Sequence, residues 1–170
     1  EVAKAEEIAK ANGVSFDVKD AGPLYKGAKK AGLKFRVQVS PRNCVGCGVC
    51  AAECPTKAIT MVDVNDQLNE EPLADYCYKE TEYKTQYGNL DTVAGAALMM
   101  PYFEVSGSCP GCGETPYYRL VSQLFGKDML VANATGCSMI YCSATPSTPF
   151  VVDKDGNGVA WANSLFEDNA

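Results

Sequence analysis

Histidine is missing altogether from the 170 residues. Its absence excludes Ser-His-Asp and Cys-His nucleophile pairs, imidazole metal ligands and histidine general bases. Positive charge is also scarce, with 15 Lys and Arg against 21 Asp and Glu, a net charge of −6. Neutralising phosphates needs clustered Lys and Arg, so no nucleic-acid partner is expected. Long apolar runs are lacking too. The longest, around Val93 to Pro101, is short and broken by Gly95, far from the roughly 18 residues that a membrane span needs. No secretory leader opens the chain: Glu1 to Glu7 (EVAKAEE) is charged and helix-forming, so a cytoplasmic protein is expected. Cysteine, in contrast, is abundant, with nine residues that are clustered. An odd number suits a closed disulfide framework poorly. Reduced thiols in such a chain point to metal ligation or redox chemistry.

Residues 1–12 (EVAKAEEIAKAN) read as a helix, because Ala, Lys and Glu are strong helix formers and Asn12-Gly13 is a good stop. Residues 20–33 read as an irregular linker. Leu33 to Ser40 alternates apolar and polar and predicts a half-buried strand, and Ala58 to Val62 predicts a returning one. Residues 63–100 read as a connector that carries spaced tyrosines for packing. Tyr102 to Val105 is expected to be a strand, and Ser108 to Glu114 a cysteine turn. Pro116 to Phe125 is expected to be a helix stopped by Gly126, and Met129 to Ala132 a buried strand. The last three elements, with a Gly136-Cys137 turn, suggest the opening of an α/β sheet. Asp153 to Gly158 begins like a calcium loop, but Ser164 stands at the twelfth position, where a bidentate acid is needed. A plain turn is expected there.

Cys44 to Pro55 (CVGCGVCAAECP) has the spacing C-x2-C-x2-C-x3-C-P, the run used by bacterial [4Fe-4S] ferredoxins. Three thiolates two residues apart can wrap one cube, and Gly46 and Gly48 let the backbone fold tightly round it. Small neighbours keep water away and tune the potential. Cys54 faces across a turn towards a second cube. Strand, cysteine loop, short helix and strand make a compact ferredoxin-like module. Zinc prefers paired, well-separated C-x2-C knuckles. The chain holds one such run, so Cys44, Cys47 and Cys50 lack a fourth ligand, and Cys77, followed by Tyr78, is a poor candidate. It starts without Met and ends without a tail-like change in composition. It therefore reads as a piece of a longer protein, with a sister run upstream of Glu1.

Cys109 and Cys112 form a second C-x2-C pair among glycines, and Cys137 sits in ATGCS. By spacing alone a cluster, a zinc knuckle and a dithiol redox pair all remain open. Glu114 beside the pair is either a helix N-terminal charge or a buried acid on a cofactor.

From Tyr102 to Thr148 the chain resembles the thiamine-diphosphate domain of single-chain pyruvate:ferredoxin (flavodoxin) oxidoreductases. The words that carry this are YFEVSGSCPGCGETPYYRLVSQLFG, MLVANATGCSMIY and TPSTPF, with GVAWANSLFEDNA closing the pattern. FRVQVSPRNCVGCGVCAAECPTKAI is similar to the second cysteine run of that family's inserted ferredoxin domain. The likeness covers residues 33–62 and 88–170. It implies an α+β ferredoxin-like 4Fe-4S module followed by the beginning of an α/β thiamine-diphosphate-binding domain. The implied division is a helix and linker at 1–32, the half ferredoxin module at 33–65, a connector at 66–100 and the thiamine domain from 101 to 170.

The activity implied is oxidative decarboxylation of pyruvate with coenzyme A to acetyl-CoA and carbon dioxide, the electrons going to ferredoxin or flavodoxin. Cys44, Cys47 and Cys50 would hold one [4Fe-4S] cluster and Cys54 the sister cluster. Cys109, Cys112 and Cys137 would hold the proximal cluster, its fourth cysteine lying beyond Ala170. Glu114 and Cys137 would also touch thiamine diphosphate. Cys142 stands where the family usually has Gly and reads as an extra buried thiol. The Gly-Asp-Gly motif for diphosphate and Mg2+ is absent, so those ligands are expected elsewhere, and this piece is not expected to act alone. The intact enzyme is expected to be a homodimer. A related 2-oxoacid oxidoreductase or a ferredoxin-like electron carrier would carry many of the same residues.

Overall fold

The computed structural model describes residues 1–22, 25, 27–143 and 148–163. The chain divides into two compact units, Glu1–Glu82 and Tyr83–Ala170. Among the described residues no helix is long and apolar enough to cross a membrane.

The first unit opens with α1, Val2–Ala11. Its end follows from Asn12-Gly13. Gly13 takes a left-handed φ of 67°, and the Gly13 and Val14 N–H groups bond back to the Lys10 and Ala9 carbonyls at 3.3 and 2.9 Å. That pair of bonds is the Schellman arrangement, which satisfies carbonyls left over at a helix end. Ala5 and Ala9 face α3, Glu71–Lys79, where Leu73 and Tyr76 stand one turn apart. Ile8, Val14, Phe16 and Cys77 close the rim of this core. Leu73 is wholly buried, a burial that contributes about 1.5–3 kcal/mol. Pro72, in the first turn of α3, gives up only an N–H that had no helical partner.

The predicted strand over Leu33–Ser40 shrinks to β2, Lys34–Phe35, paired antiparallel with β1, Lys19–Asp20. Ala58–Val62 joins no ladder. The alternation is real, but without a neighbouring strand it earns no ladder: Val37 is 74% exposed. The stretch read as a connector instead contains a 3-10 turn, Val64–Glu70, and then α3. The short helix expected within the cysteine run is α2, Val49–Glu53.

The second unit has a 3-10 turn, Thr85–Tyr87, then a single helical turn, α4 (Val93–Ala96), and then α5, Thr115–Phe125. Ser122 of α5 accepts the Phe103 N–H at 3.1 Å and donates to the Arg119 carbonyl at 2.8 Å. Gln123 donates to the Met99 carbonyl at 3.0 Å. At Gly126 α5 passes into a 3-10 turn, Gly126–Asp128, and only glycine fits there: an added Cβ would meet the Tyr102 ring at 2.0 Å. Then β3, Leu130–Asn133, runs parallel to β4, Ala160–Asn163, in the register Leu130↔Ala160 to Asn133↔Asn163. Parallel neighbours need a crossover, and α6, Cys137–Ser143, lies in it. The turn read at Gly136-Cys137 is present at Thr135-Gly136, and Cys137 begins the helix that follows it. The strand expected at Tyr102–Val105 is one bridge, Phe103↔Phe150. Phe103 forms the centre of an aromatic core with Tyr118, Tyr141 and Phe150 at 5.4, 6.2 and 5.5 Å. Asp153–Gly158 is a plain turn: Asp153 Oδ1 accepts the Asp155 and Asn157 N–H groups at 2.9 Å each, and Val152 bridges Gly158. Ser164 lies outside the described residues.

Candidate metal centres

The first cysteine loop hangs from α3. Glu71, the first residue of that helix, accepts the Ser40 hydroxyl at 2.8 Å and the Arg42 N–H at 3.1 Å. The Ser40 carbonyl in turn accepts the Cys44 N–H at 3.1 Å. The loop then turns through Gly46 and Gly48, with φ of 68° and 74°. Both glycines have open space where a Cβ would sit, so the left-handed backbone alone calls for glycine there. Gly48 caps α2, which carries Cys50. Cys44, Cys47 and Cys50 are exposed, while Cys54 is half-buried at the far end of α2.

Cys54 sulfur receives the Ala58 N–H at 3.3 Å and lies 3.5 Å from the Thr56 hydroxyl. The Thr56 hydroxyl, then the Ala58 N–H, holds its thiol below the ordinary range. Such donors stabilise a thiolate. Cys77 is different. It packs on the α1–α3 core, and burial pushes its thiol up.

Beside the loop is a hollow of about 370 Å³, lined by Cys44 and Cys50 together with Val37, Val39, Ile59 and Met61. The residues here fit an iron–sulfur cluster on three counts. The donors are thiols without imidazole, the glycines let the loop wrap, and the hollow is mainly apolar. Among the described residues, however, no three Cys, Asp or Glu side chains are placed to hold a metal ion.

In the second unit Cys109 is exposed and Cys112 half-buried, on a turn closed by a 3.1 Å bond from the Cys112 N–H to the Cys109 carbonyl. Gly111 has φ of 69°. The Glu114 N–H, followed by that of Thr115, holds the Cys112 thiol low. Cys137 is exposed on the first residue of α6. Cys142, one turn on, is buried in the aromatic core, and burial raises its thiol. Glu114 stands at the N-terminus of α5 without capping it. The Tyr141 hydroxyl is buried, and Glu114 is the charged group that acts on it. Burial first, and the Glu114 carboxylate second, push its ionisation well above the usual phenol range. Tyr118 donates to Asn133 at 2.8 Å.

The sequence motifs did not reveal Ser40, Glu71, Arg36 or Asn133 as supports. The Arg36–Glu70, Ser40–Glu71 and Tyr118–Asn133 bonds join residues 34, 31 and 15 positions apart, and only Pro72 with its flanking acids hinted at a helix start.

Residues 37–60 match the family described as 4Fe-4S binding domain. Over most of its length the chain is also 50% identical to the pyruvate:ferredoxin oxidoreductase of Moorella thermoacetica. The chain matches one segment of the pyruvate:ferredoxin (flavodoxin) oxidoreductases. The Moorella alignment covers 92% of this chain and 13% of that protein. The pyruvate-flavodoxin oxidoreductase of Klebsiella pneumoniae is 44% identical over 94% of the chain and 14% of its own length. The pyruvate dehydrogenase [NADP(+)] of Cryptosporidium parvum is 41% identical over 87% of the chain and 8% of its own length. The chain thus spans about one seventh of the length of the first two relatives. The part of the chain that matches the 4Fe-4S binding family, residues 37–60, includes the loop that carries Cys44 to Cys54.

Proposed function

We propose that this chain is the electron-transfer and part of the cofactor-binding portion of an enzyme that oxidises pyruvate. The reaction takes pyruvate and coenzyme A to acetyl-CoA and carbon dioxide, releasing two electrons and a proton. Those electrons pass to ferredoxin or flavodoxin. The observation that carries this reading is the 50% identity over 92% of the chain, together with the exposed or half-buried placement of the cysteines of both constellations.

Cys44, Cys47 and Cys50 hold one [4Fe-4S] cluster, and Cys54 reaches the next. Cys109, Cys112 and Cys137 hold the cluster nearest the reacting carbon. At Cys54 the Thr56 hydroxyl and the Ala58 N–H, and at Cys112 the Glu114 and Thr115 N–H groups, favour the thiolate, the form that binds iron. Thiamine diphosphate, when bound, supplies the carbanion chemistry that lets carbon dioxide leave. Glu114 and Cys137 are the contacts for it here, each at the start of a helix in the second unit. The two helices that begin there meet through Tyr118 and Tyr141, whose rings lie 5.8 Å apart in the aromatic core around Phe103. Residues 101–170 are accordingly the beginning of the thiamine domain. The accompanying Mg2+ is not assigned to residues of this chain. The enzyme works in the cytoplasm as a homodimer.

The test is anaerobic reconstitution of the chain with iron and sulfide, followed by visible spectroscopy and metal analysis. Broad visible absorption with iron and acid-labile sulfide is expected. Cys47→Ser should remove one part of it, and Cys112→Ser a separate part. Stoichiometric zinc without sulfide would defeat the reading.

A further inference from the structure

The hollow beside the first cysteine loop has two charged walls that the proposed function does not use. Arg36 and Glu70 line it along with Cys44 and Cys50, and the other lining residues carry no formal charge. The two charges form an ion pair at 3.4 Å, with side chains 17% and 23% exposed. They are also held in place. The Arg36 Nε donates to Gln38 at 2.7 Å, and Gln38 donates to Glu70 at 3.1 Å. A further Arg36 nitrogen reaches the Asp17 carbonyl at 3.4 Å, and the guanidinium lies 5.4 Å from the Phe16 ring. Four neighbours thus fix an arginine that a simple surface pair would leave mobile. Both charges act through the interior on the Cys77 thiol, Arg36 lowering it and Glu70 raising it behind the dominant effect of burial.

We infer that Arg36 and Glu70 are a matched pair of charges whose opposite effects on the reduction potential of the cluster held by Cys44, Cys47 and Cys50 balance, so that neither charge displaces it alone. The inference rests on the proposal that these thiolates hold a [4Fe-4S] cluster. Reduction adds one electron and breaks no bond, so the cluster becomes one charge more negative. A nearby cation stabilises the reduced form and an anion destabilises it. With both present the two effects largely cancel. Removing one leaves the other unopposed beside the cluster.

The experiment is a potentiometric titration of the reconstituted full chain, with dithionite as reductant, followed by electron paramagnetic resonance. The signal of this loop is identified by its loss in Cys47→Ser. Arg36→Gln should disfavour reduction about tenfold, a downward shift of ~59 mV for one electron. Glu70→Gln should shift the potential upward by a similar amount. The double variant should return towards the parent, and Arg36→Lys, which keeps the charge, should move it least. A merely structural pair would not give shifts of opposite sign that cancel in the double variant. Unchanged potentials in cluster-loaded variants would overturn the inference while leaving the cluster in place. Loss of iron and sulfide from both Gln variants but not from Arg36→Lys would assign the pair to folding and overturn it too. Failure of the parent chain to take up any cluster would remove the proposed function, and the inference with it.

Discussion

Replacing Glu71 with Ala should unfasten the first cysteine loop from its helix. The carboxylate accepts two bonds, from the buried Ser40 hydroxyl at 2.8 Å and from the Arg42 N–H at 3.1 Å. A hydrogen bond to a charged group contributes about 1.5–3 kcal/mol. Glu71 is only half-buried, so the lower end applies to each bond, or about 3 kcal/mol for the two. Losing an acid in the first turn of α3 adds roughly 0.3–1 kcal/mol. Glu71→Gln keeps one acceptor oxygen and should cost about half as much. In a unit the size of Glu1–Glu82, each kcal/mol lowers the unfolding temperature by roughly 4–8 °C. The assay is thermal unfolding of the reduced, metal-free chain by circular dichroism, with iron uptake measured in parallel. The expected order of melting temperature is parent, Glu71→Gln, Glu71→Ala. Cys44 hangs from Ser40 by its N–H, so iron uptake should slow in the same order. Melting of Glu71→Ala within a degree or two of the parent would refute the claim that this carboxylate anchors the loop.

Leu73→Ala should destabilise the first unit by about 2–5 kcal/mol, because Leu73 is fully buried in a core otherwise built from alanines and Tyr76. Denaturant titration would show a lower midpoint at an unchanged slope. Gly126→Ala should cost the second unit about 1–3 kcal/mol, since the new methyl falls 2.0 Å from the Tyr102 ring. The simultaneous Tyr102→Ala change should recover most of the loss attributable to that clash. The Asp153 turn should loosen in acid. The Asn157 N–H above all, with the Tyr102 hydroxyl and the Asp155 N–H, holds the Asp153 carboxyl below its ordinary range. A depressed folded-state value stabilises above the unfolded value of about 3.9 and is lost as pH falls below it. The amide signals of Asp155 and Asn157 should therefore shift below about pH 4, with Asp153→Asn showing no such step.

Features encoded within a few residues were legible in the sequence. Asn12-Gly13 stopped α1 where expected, Pro116 and Gly126 bracketed α5, and the spacing of Cys44 to Cys54 enclosed a short helix. Each depends on local backbone chemistry. Features that need a distant partner were not legible. The alternation of Leu33 to Ser40 describes an extended chain with an apolar side, but only Lys34–Phe35 has a neighbouring strand. α3 was hidden because its tyrosines read as surface packing. Yet Leu73 and Tyr76, three apart behind Pro72, carry an amphipathic signal. Arg36 and Glu70 lie 34 positions apart, and no motif joins them.

The exposed apolar residues of the first unit make one more prediction. Val37, Val39, Ile59, Met61 and Val62 are exposed, on segments with neither helix nor strand. The α1–α3 core beside them is packed. Order is therefore uneven within the unit, and the loosely built part is the part that carries the thiols. Where ligands gather only on binding, the binding free energy of a metal group is also folding free energy. Cluster loading should thus slow amide hydrogen exchange across residues 36–64 by at least tenfold, and leave α1 and α3 nearly unchanged. Local opening and global unfolding are separable in such an experiment, since exchange in the α1–α3 core reports the larger opening. Protection spread evenly over the unit, or confined to the four cysteines, would show that the cluster does not complete this face. The loop would then be a finished structure to which metal is merely attached.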